Sequence, residues 1–413
     1  MSRLKHFSKK TFKSLKIYNF RLYFFSQAIS LSGTWMQVIG QSWLVLKITG
    51  SGTALGVVTA LQFLPVLVFG AWGGVLADRF NKRKLLYFTQ SISALLALIL
   101  WILVLTGNAH LWAIELLALA LGFVNAVDSP TRQVFISEMV GTDYLNNAVS
   151  VNSLQVNLAR VVGPAIAGII IATLGIGACF FVNAISFIPV VIALVMMREH
   201  ELHVADRIKT VRGQVREGLR YVRATPALRD TLIMMAIIGT LAYEFTVVVP
   251  LFAQFTLHGD AGTYALLNTA IGIGSMIGGF YTAQFKKITQ KMIYTAAFLF
   301  GLSMFVVASM PTLTTAFFAM IVTGFFSISF LSRSNSLLQI ESSPEMRGRV
   351  MALWAVAFLG STPIGGPIIG WVSQVLGPRY GLVVGGVACL CASLYGYVSL
   401  RARANQSTTP LTH

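Results

Sequence analysis

The sequence predicts an all-α membrane protein with twelve transmembrane helices in two six-helix pseudo-symmetric bundles. Three observations predict it. The 413 residues are 55% hydrophobic and only 11% charged, with a mean hydropathy of +0.73, whereas a water-soluble domain carries about 25% charged residues. Twelve apolar runs each reach the length of about 20 residues that a helix needs to cross the hydrocarbon layer. Basic residues alternate between successive gaps, as they do in short loops on the two sides of a bilayer.

The runs fall at 20–46, 54–77, 84–106, 111–131, 148–173, 177–197, 230–257, 262–285, 292–310, 313–333, 350–376 and 380–400. Several contain Gly, Pro, Ser or Asn, which spanning helices tolerate because neighbouring helices re-satisfy the freed backbone groups. With the run edges taken as soft, about 28 of the 31 Lys and Arg fall before the first run, after runs two, four, six, eight and ten, or after the last. Lys47 and Arg379 fall in the opposite gaps, and Arg160 lies inside run five. An odd number of crossings would scramble this alternation. It places both termini and the 198–229 segment on the cytoplasmic side of the membrane.

Residues 1–19 form a basic segment, with Arg3, Lys5, Lys9, Lys10, Lys13 and Lys16 interleaved with Phe7, Phe12, Leu15 and Ile17. Such a segment suits an anionic leaflet, each basic residue contributing about 1 kcal/mol near the surface. No short apolar core with a cleavage site follows, so run one is expected to be retained. Between the bundles at 20–197 and 230–400 lies 198–229, where Val211, Val215, Leu219 and Val222 recur at helical spacing among Arg212, Arg216, Arg220 and Arg223. Pro226 ends that pattern. The segment is expected to be an amphipathic helix on the cytoplasmic surface, and 401–413 a cytoplasmic tail.

Composition also excludes functions. The net charge of +17 sits in short gaps with no contiguous face for a duplex, so nucleic acid is not an expected partner. Cys179, Cys389 and Cys391 lie in apolar runs, with no Cys-x-x-Cys pair or zinc-like cluster. There is no Gly-x-x-x-x-Gly-Lys-Ser/Thr loop for ATP. An intramembrane enzyme would need a metal or nucleophile constellation, and neither His-Glu-x-x-His nor Gly-x-Ser-x-Gly occurs. No catalytic residue, metal or cofactor is expected, and a monomer in lipid suffices.

The halves repeat. A shift of about 203 residues carries Glu138 onto Glu341, Gly163 onto Gly366 and Pro164 onto Pro367, an acidic loop leading into a helix with a central Gly-Pro pair. A shift of about 205 carries Gly74 to Lys82 onto Gly279 to Lys287, where the Asp-Arg pair is missing. Parallel halves imply a binding site near mid-membrane.

The sharpest motif is Gly74-x-x-x-Asp78-Arg79-x-Asn81-Lys82-Arg83-Lys84, between runs two and three. Positive-inside charge alone accounts for its basic residues but not for Asp78 at the membrane edge. An Asp there can meet the positive end of a neighbouring helix, and Gly74 offers a close helix approach. The motif resembles the Gly-x-x-x-Asp-Arg-x-Gly-Arg-Arg loop of the major facilitator superfamily, with Asn81 and Lys82 in place of Gly and Arg. The resemblance implies the major facilitator fold, a cytoplasmic latch formed by Asp78 and Arg79 that holds the outward-facing state, and a path lined by helices one, four, seven and ten.

In run five, Arg160-Val-Val-Gly163-Pro164-Ala-Ile-Ala-Gly168 resembles the Gly-Pro motif of drug/proton antiporters, with Ala159 and Ala167 where Gly is common. Proline bends a helix and glycine permits a tight crossing; the resemblance favours export, and ordinary helix packing with no bearing on direction is the alternative. The second copy contains Gly366 and Pro367. The stretches Gly33 to Gln37, Asn125 to Gln133, Asn147 to Ser153, Asn157 to Arg160 and Glu217 to Arg223 resemble the siderophore- and macrolide-export branch, of which bacterial enterobactin exporters are members. The likeness covers nearly the whole chain. It implies proton-coupled efflux of a siderophore, macrolide or other drug-like small molecule. A facilitator, an importer or a lipid flippase on the same fold stays open.

Ionisable groups inside a bilayer are costly, about 2.5–3.5 kcal/mol even on insertion scales, and so point to function. Glu244 in run seven is the first candidate for proton coupling, followed by Arg160 and by Asp128 and Arg132, which stand one turn apart and can pair. Glu244 paired with Arg160, or held by a hydroxyl, is the structural alternative. Glu115 is expected to snorkel to the outer interface. Gln37 and Gln41 share one face of run one, and with Trp35, Tyr243 and Asn268 they are substrate-path candidates for a bulky, partly apolar ligand.

Overall fold

The computed structural model describes residues 13–203, 214–285 and 287–408, and among them the only regular secondary structure is helical. The chain folds into two compact units. In the first, α1 (Tyr18–Thr49), α2 (Gly52–Arg79), α3 (Lys82–Leu105), α4 (Leu111–Leu174) and α5 (Ile176–Met196) follow in order. A linker helix α6 (Gln214–Ala224) precedes α7 (Pro226–Leu241), α8 (Phe245–Leu251), α9 (Ala261–Ala283), α10 (Gln290–Ser309), α11 (Leu313–Glu341), α12 (Pro344–Leu359), α13 (Thr362–Val375) and α14 (Pro378–Thr408). The start of α2, Gly50–Ala60, clusters with the second unit and its remainder with the first.

Nine segments among the described residues are long and apolar enough to span a bilayer. One of them is the 64-residue α4. At 1.5 Å per residue it would run for about 95 Å, three times the hydrocarbon thickness of about 30 Å. It is two crossings, broken at Gly141, whose φ of 65° is left-handed. A side chain there would meet the ring of His203. Helices α1 and α9 complete the set of twelve crossings. The polar Gln27, Gln37 and Gln41 lower the apolarity of α1.

The two units share one neighbour pattern. Helix α3 packs on α5 and α4 in the first, and α10 packs on α14 and α11 in the second. Likewise α1 packs on α5, and α7 on α14. Small residues set the crossings. A Cβ on Gly40 would press on Cys179 and Phe180 of α5. One on Gly274 or Gly278 would collide with the α11 carbonyls of Ile321 and Phe325. At the charged end of the first unit Phe20, Tyr23, Leu86, Phe135, Met139 and Val190 form a shared core.

Several expectations are corrected. Run seven is not one helix: α7 stops at Leu241 and α8 starts at Phe245, with a π-helical turn at Phe252–Thr256. Run eleven divides at Gly360–Ser361. Glu138 belongs to α4 rather than a loop, because helical hydrogen bonding continues past the apolar run to Gly141. The linker carries an amphipathic helix at Gln214–Ala224, a point the expectation shares with the structure, and its apolar side packs on protein: Val222 is buried with Leu228, Leu232, Leu338 and Val350, Glu217 pairs with Arg349 at 2.8 Å, and Tyr221 Oη accepts from Ser343 N–H. Leu219 remains exposed. Residues 1–12, Val211, Arg212, the Val215 side chain and residues 409–413 lie outside the description.

An unexpected polar knot ties α7 to α14. Asp230 is 0% exposed and accepts from Arg229, Tyr395, Ser399 and Arg403. Hydrogen bonds to a buried charged group contribute about 1.5–3 kcal/mol each. Asp230→Ala is therefore expected to lower the melting temperature of the detergent-purified protein by several degrees, a loss on the order of 3 kcal/mol, as read by scanning fluorimetry.

Candidate functional site

At the charged end of the first unit, Asn81 caps α3 by accepting from Lys84 N–H. That cap aims the next two side chains back at the unit. Lys82 pairs with the buried Glu138 at 3.0 Å. Arg83 donates to the carbonyls of Leu194 and Val195 at the end of α5 and reaches Glu199 at 3.5 Å. Arg79 is exposed, and the Asp78 side chain lies outside the described atoms. The packing glycine is not Gly74, whose Cβ position is open, but Gly73, where a Cβ would collide with the Ala126 carbonyl. One residue of helix rotates the approach by about 100°, which is enough to turn Gly74 away from α4.

Deeper in the same unit, Asp128 and Arg132 are joined at 2.9 Å, as the one-turn spacing suggested. Thr89 and Gln90 of α3 donate to the other carboxylate oxygen at 2.7 and 2.8 Å. Across from them, Asn183 of α5 donates to Gln37 at 2.6 Å, and Gln41 is buried alongside. Gln37, Gln41, Gln90, Asp128, Arg132 and Asn183 border one cavity. Arg160 lies over the Trp35 ring at 5.3 Å. Gly163 makes that stack possible, since a Cβ there would strike Trp35 and Ser32 of α1. Pro164 is buried and Gly168 half-buried in the same helix.

In the second unit Glu244 stands at the break between α7 and α8 and is 2% exposed. The Thr362 hydroxyl is its hydrogen-bond partner, while Oε1 has none among the described residues. A Cβ on Gly365 would come within 2.9 Å of that oxygen. Next to it, Gly366 and Gly370 of α13 meet Gly56 and Gly52 of α2, each backbone occupying the space of the other's missing side chain. Gln374 accepts from Ser51 and Thr53 one turn further on. Pro367 is half-buried in this seam. Tyr243 packs against Phe245, Phe300 and Phe358 and donates to the Ser327 carbonyl. Asn268 donates to Tyr264 of its own helix.

Two functional-looking groups escaped the sequence. Asp230 begins run seven, where it reads as an interface charge. Arg333 ends run ten, yet it is only 8% exposed, lies over Phe285 and Tyr281 and donates to the Met292 carbonyl. The signal available for Arg333 was its position beside Ser332 and Ser334 in a run whose helix continues to Glu341.

Among the described residues no cluster of His, Cys, Asp and Glu suits a metal ion. Helical units with paired charges, amides and an isolated carboxylate inside spanning segments define a multi-pass membrane transporter of the major facilitator superfamily. Residues 9–413 match the family model described as transmembrane secretion effector, and the chain belongs to that family. It is 26% identical over 380 residues to the staphyloferrin A transporter of Staphylococcus aureus, covering 91% of this chain and 95% of that one. It is 26% identical over 366 residues to the multidrug efflux pump Tap of Mycolicibacterium fortuitum, covering 86% and 89%. With macrolide efflux protein A of Streptococcus pyogenes it shares 21% over 393 residues, covering 92% and 96%. The fold is similar to that of a bacterial homologue of the human lysosomal transporter Spinster, a structure described as inward-facing and unoccupied, with a TM-score of 0.76 at 15% identity over 95% of this chain and 99% of that one.

Proposed function

We propose that the protein is a proton-coupled exporter that moves a small molecule out of a bacterial cell across its inner membrane by alternating access. The observation that carries the proposal is Glu244, a buried carboxyl at a helix break with one oxygen unpartnered among the described residues. A carboxylate held without a cation in a spanning segment is costly, so its proton is bound in one conformation and released in another where water reaches it. Asp78 and Arg79 act as the cytoplasmic latch, and both chain ends lie in the cytoplasm, in keeping with the basic gaps. Relatives that carry staphyloferrin A, macrolides and several drugs support a siderophore, macrolide or drug-like cargo for this chain.

Inside-out vesicles bearing the full chain test this. With an acid interior they are expected to accumulate erythromycin, and a protonophore is expected to collapse the accumulation. Equilibration that a protonophore leaves untouched would make the protein a facilitator.

A further inference from the structure

We propose that Arg333 holds the phosphate of an anionic phospholipid at the basic end of the second unit, with its Nη2 donating to a phosphate oxygen. The inference stands on the membrane fold and not on the exporter reading or its cargo.

The first ground is a buried charge without a counter-charge. A guanidinium stays protonated at any working pH. Arg132 is balanced by Asp128 and Arg403 by Asp230. Arg333 is only 8% exposed, yet its contacts among the described residues are the Met292 carbonyl and the rings of Phe285 at 5.4 Å and Tyr281 at 5.9 Å. None of these is an anion. Attraction to the ring faces offsets part of the cost of burying a cation, but it does not neutralise the charge.

The three nitrogens differ. Nη1 makes the bond to Met292. Nε is enclosed and has no partner. Nη2 is not enclosed and has no acceptor among the described residues, so it is the nitrogen that a ligand reaches.

The surroundings add to the positive potential. Met292 lies in the first turn of α10, which has no acidic residue, and the N-terminus of a helix is the positive end of its dipole. Lys287 and Lys291 are exposed on either side of the Thr289 cap. No Asp or Glu occurs between Gln284 and Lys291. At the shift of about 205 that relates the halves, Lys287 keeps the place of Lys82 while Ala283 takes the place of Asp78. The second copy retains the basic residue and lacks the carboxylate. An external anion supplies what is missing, and a guanidinium–phosphate hydrogen bond is of the strong, charge-assisted kind.

The apolar part of the ligand follows from what stands beside Arg333. Phe285 and Tyr281 are themselves exposed, and Phe280 and Ile277 continue an exposed apolar stripe along α9. Such a stripe on a spanning helix meets acyl chains. A soluble phosphate has nothing to place there, whereas a diacyl lipid does. Basic pockets between spanning helices at the membrane edge take anionic headgroups for these reasons.

The test uses the purified, delipidated full chain in detergent, with bound lipid counted by native mass spectrometry. The probes are palmitoyl-oleoyl phosphatidylglycerol, palmitoyl-oleoyl phosphatidylcholine and glycerol phosphate. Wild type is expected to bind the phosphatidylglycerol at least tenfold tighter than the phosphatidylcholine, and equimolar glycerol phosphate is expected not to displace it. Arg333→Gln is expected to bring the two lipids to parity. Lys291→Gln, which removes one charge from the same end, is expected to keep the preference. The wild-type ratio needs no variant, so a variant that fails to fold leaves the test standing. Equal affinity of wild type for the two lipids overturns the site. An unchanged ratio in a folded Arg333→Gln, or parity in both variants, also overturns it, because diffuse surface charge then accounts for the preference. Displacement by glycerol phosphate overturns the lipid assignment in favour of a soluble anion.

Discussion

Glu244→Gln is expected to abolish proton-driven accumulation of erythromycin, at least tenfold below wild type, while leaving downhill exchange intact. Glutamine keeps the size of the side chain and can still bond to the Thr362 hydroxyl, but it carries no exchangeable acid proton. The break between α7 and α8 and the Gly365 contact should survive, since neither depends on ionisation. The comparison to make is protonophore-sensitive accumulation against counterflow in the same vesicles. Full, protonophore-sensitive accumulation by the variant would remove Glu244 from the coupling step. Loss of both activities would mark it as structural instead.

Gly56→Leu is the second large effect. A side chain at Gly56 would run into the Gly366 carbonyl and the Pro367 Cα, where neither helix backbone can yield. Overpacking of this kind costs about 1–3 kcal/mol. If that cost falls on one conformation of the cycle, its population shifts by roughly 5- to 150-fold, since each 1.4 kcal/mol is a factor of ten. The transport rate is expected to fall about tenfold or more, with the protein still inserted. Gly279→Ala is the matched control: nothing stands near its Cβ position, and wild-type rate is expected. A Gly56→Leu rate equal to wild type would show that the seam is not needed for turnover.

Much of the fold was legible because lipid makes one demand over and over. Every crossing must be apolar over about 20 residues, and loop charge must alternate, so run positions follow directly from the chain. Helix ends were less legible. Helix α4 continues from Leu111 to Val140 through polar residues and carries Glu138 inside, because hydropathy falls at the membrane edge while backbone hydrogen bonding does not. The break at Glu244 was hidden for another reason: a single Glu stands among Leu241, Ala242, Tyr243 and Phe245 in an otherwise apolar run, and hydropathy does not register a missing hydrogen bond.

The site was legible in its local pairs and not in its long-range ones. Asp128 with Arg132 followed from one-turn spacing, and Gly163 followed from its motif. The partner of Gly366 and Gly370 did not, although Gly52 and Gly56 show the same four-residue spacing, because nothing in the chain says which two small-residue stripes will meet. Gly73 and Gly74 are adjacent, and only the helix rotation distinguishes them. Asp230 needed Arg403, 173 residues away, before its burial made sense.

Proton release on substrate binding tests the central claim most directly. Purified protein in weakly buffered detergent, followed with a pH dye, is expected to release protons when erythromycin is added, and Glu244→Gln is expected to release none. Binding of erythromycin to wild type without any proton release would contradict the coupling of export to a buried carboxyl.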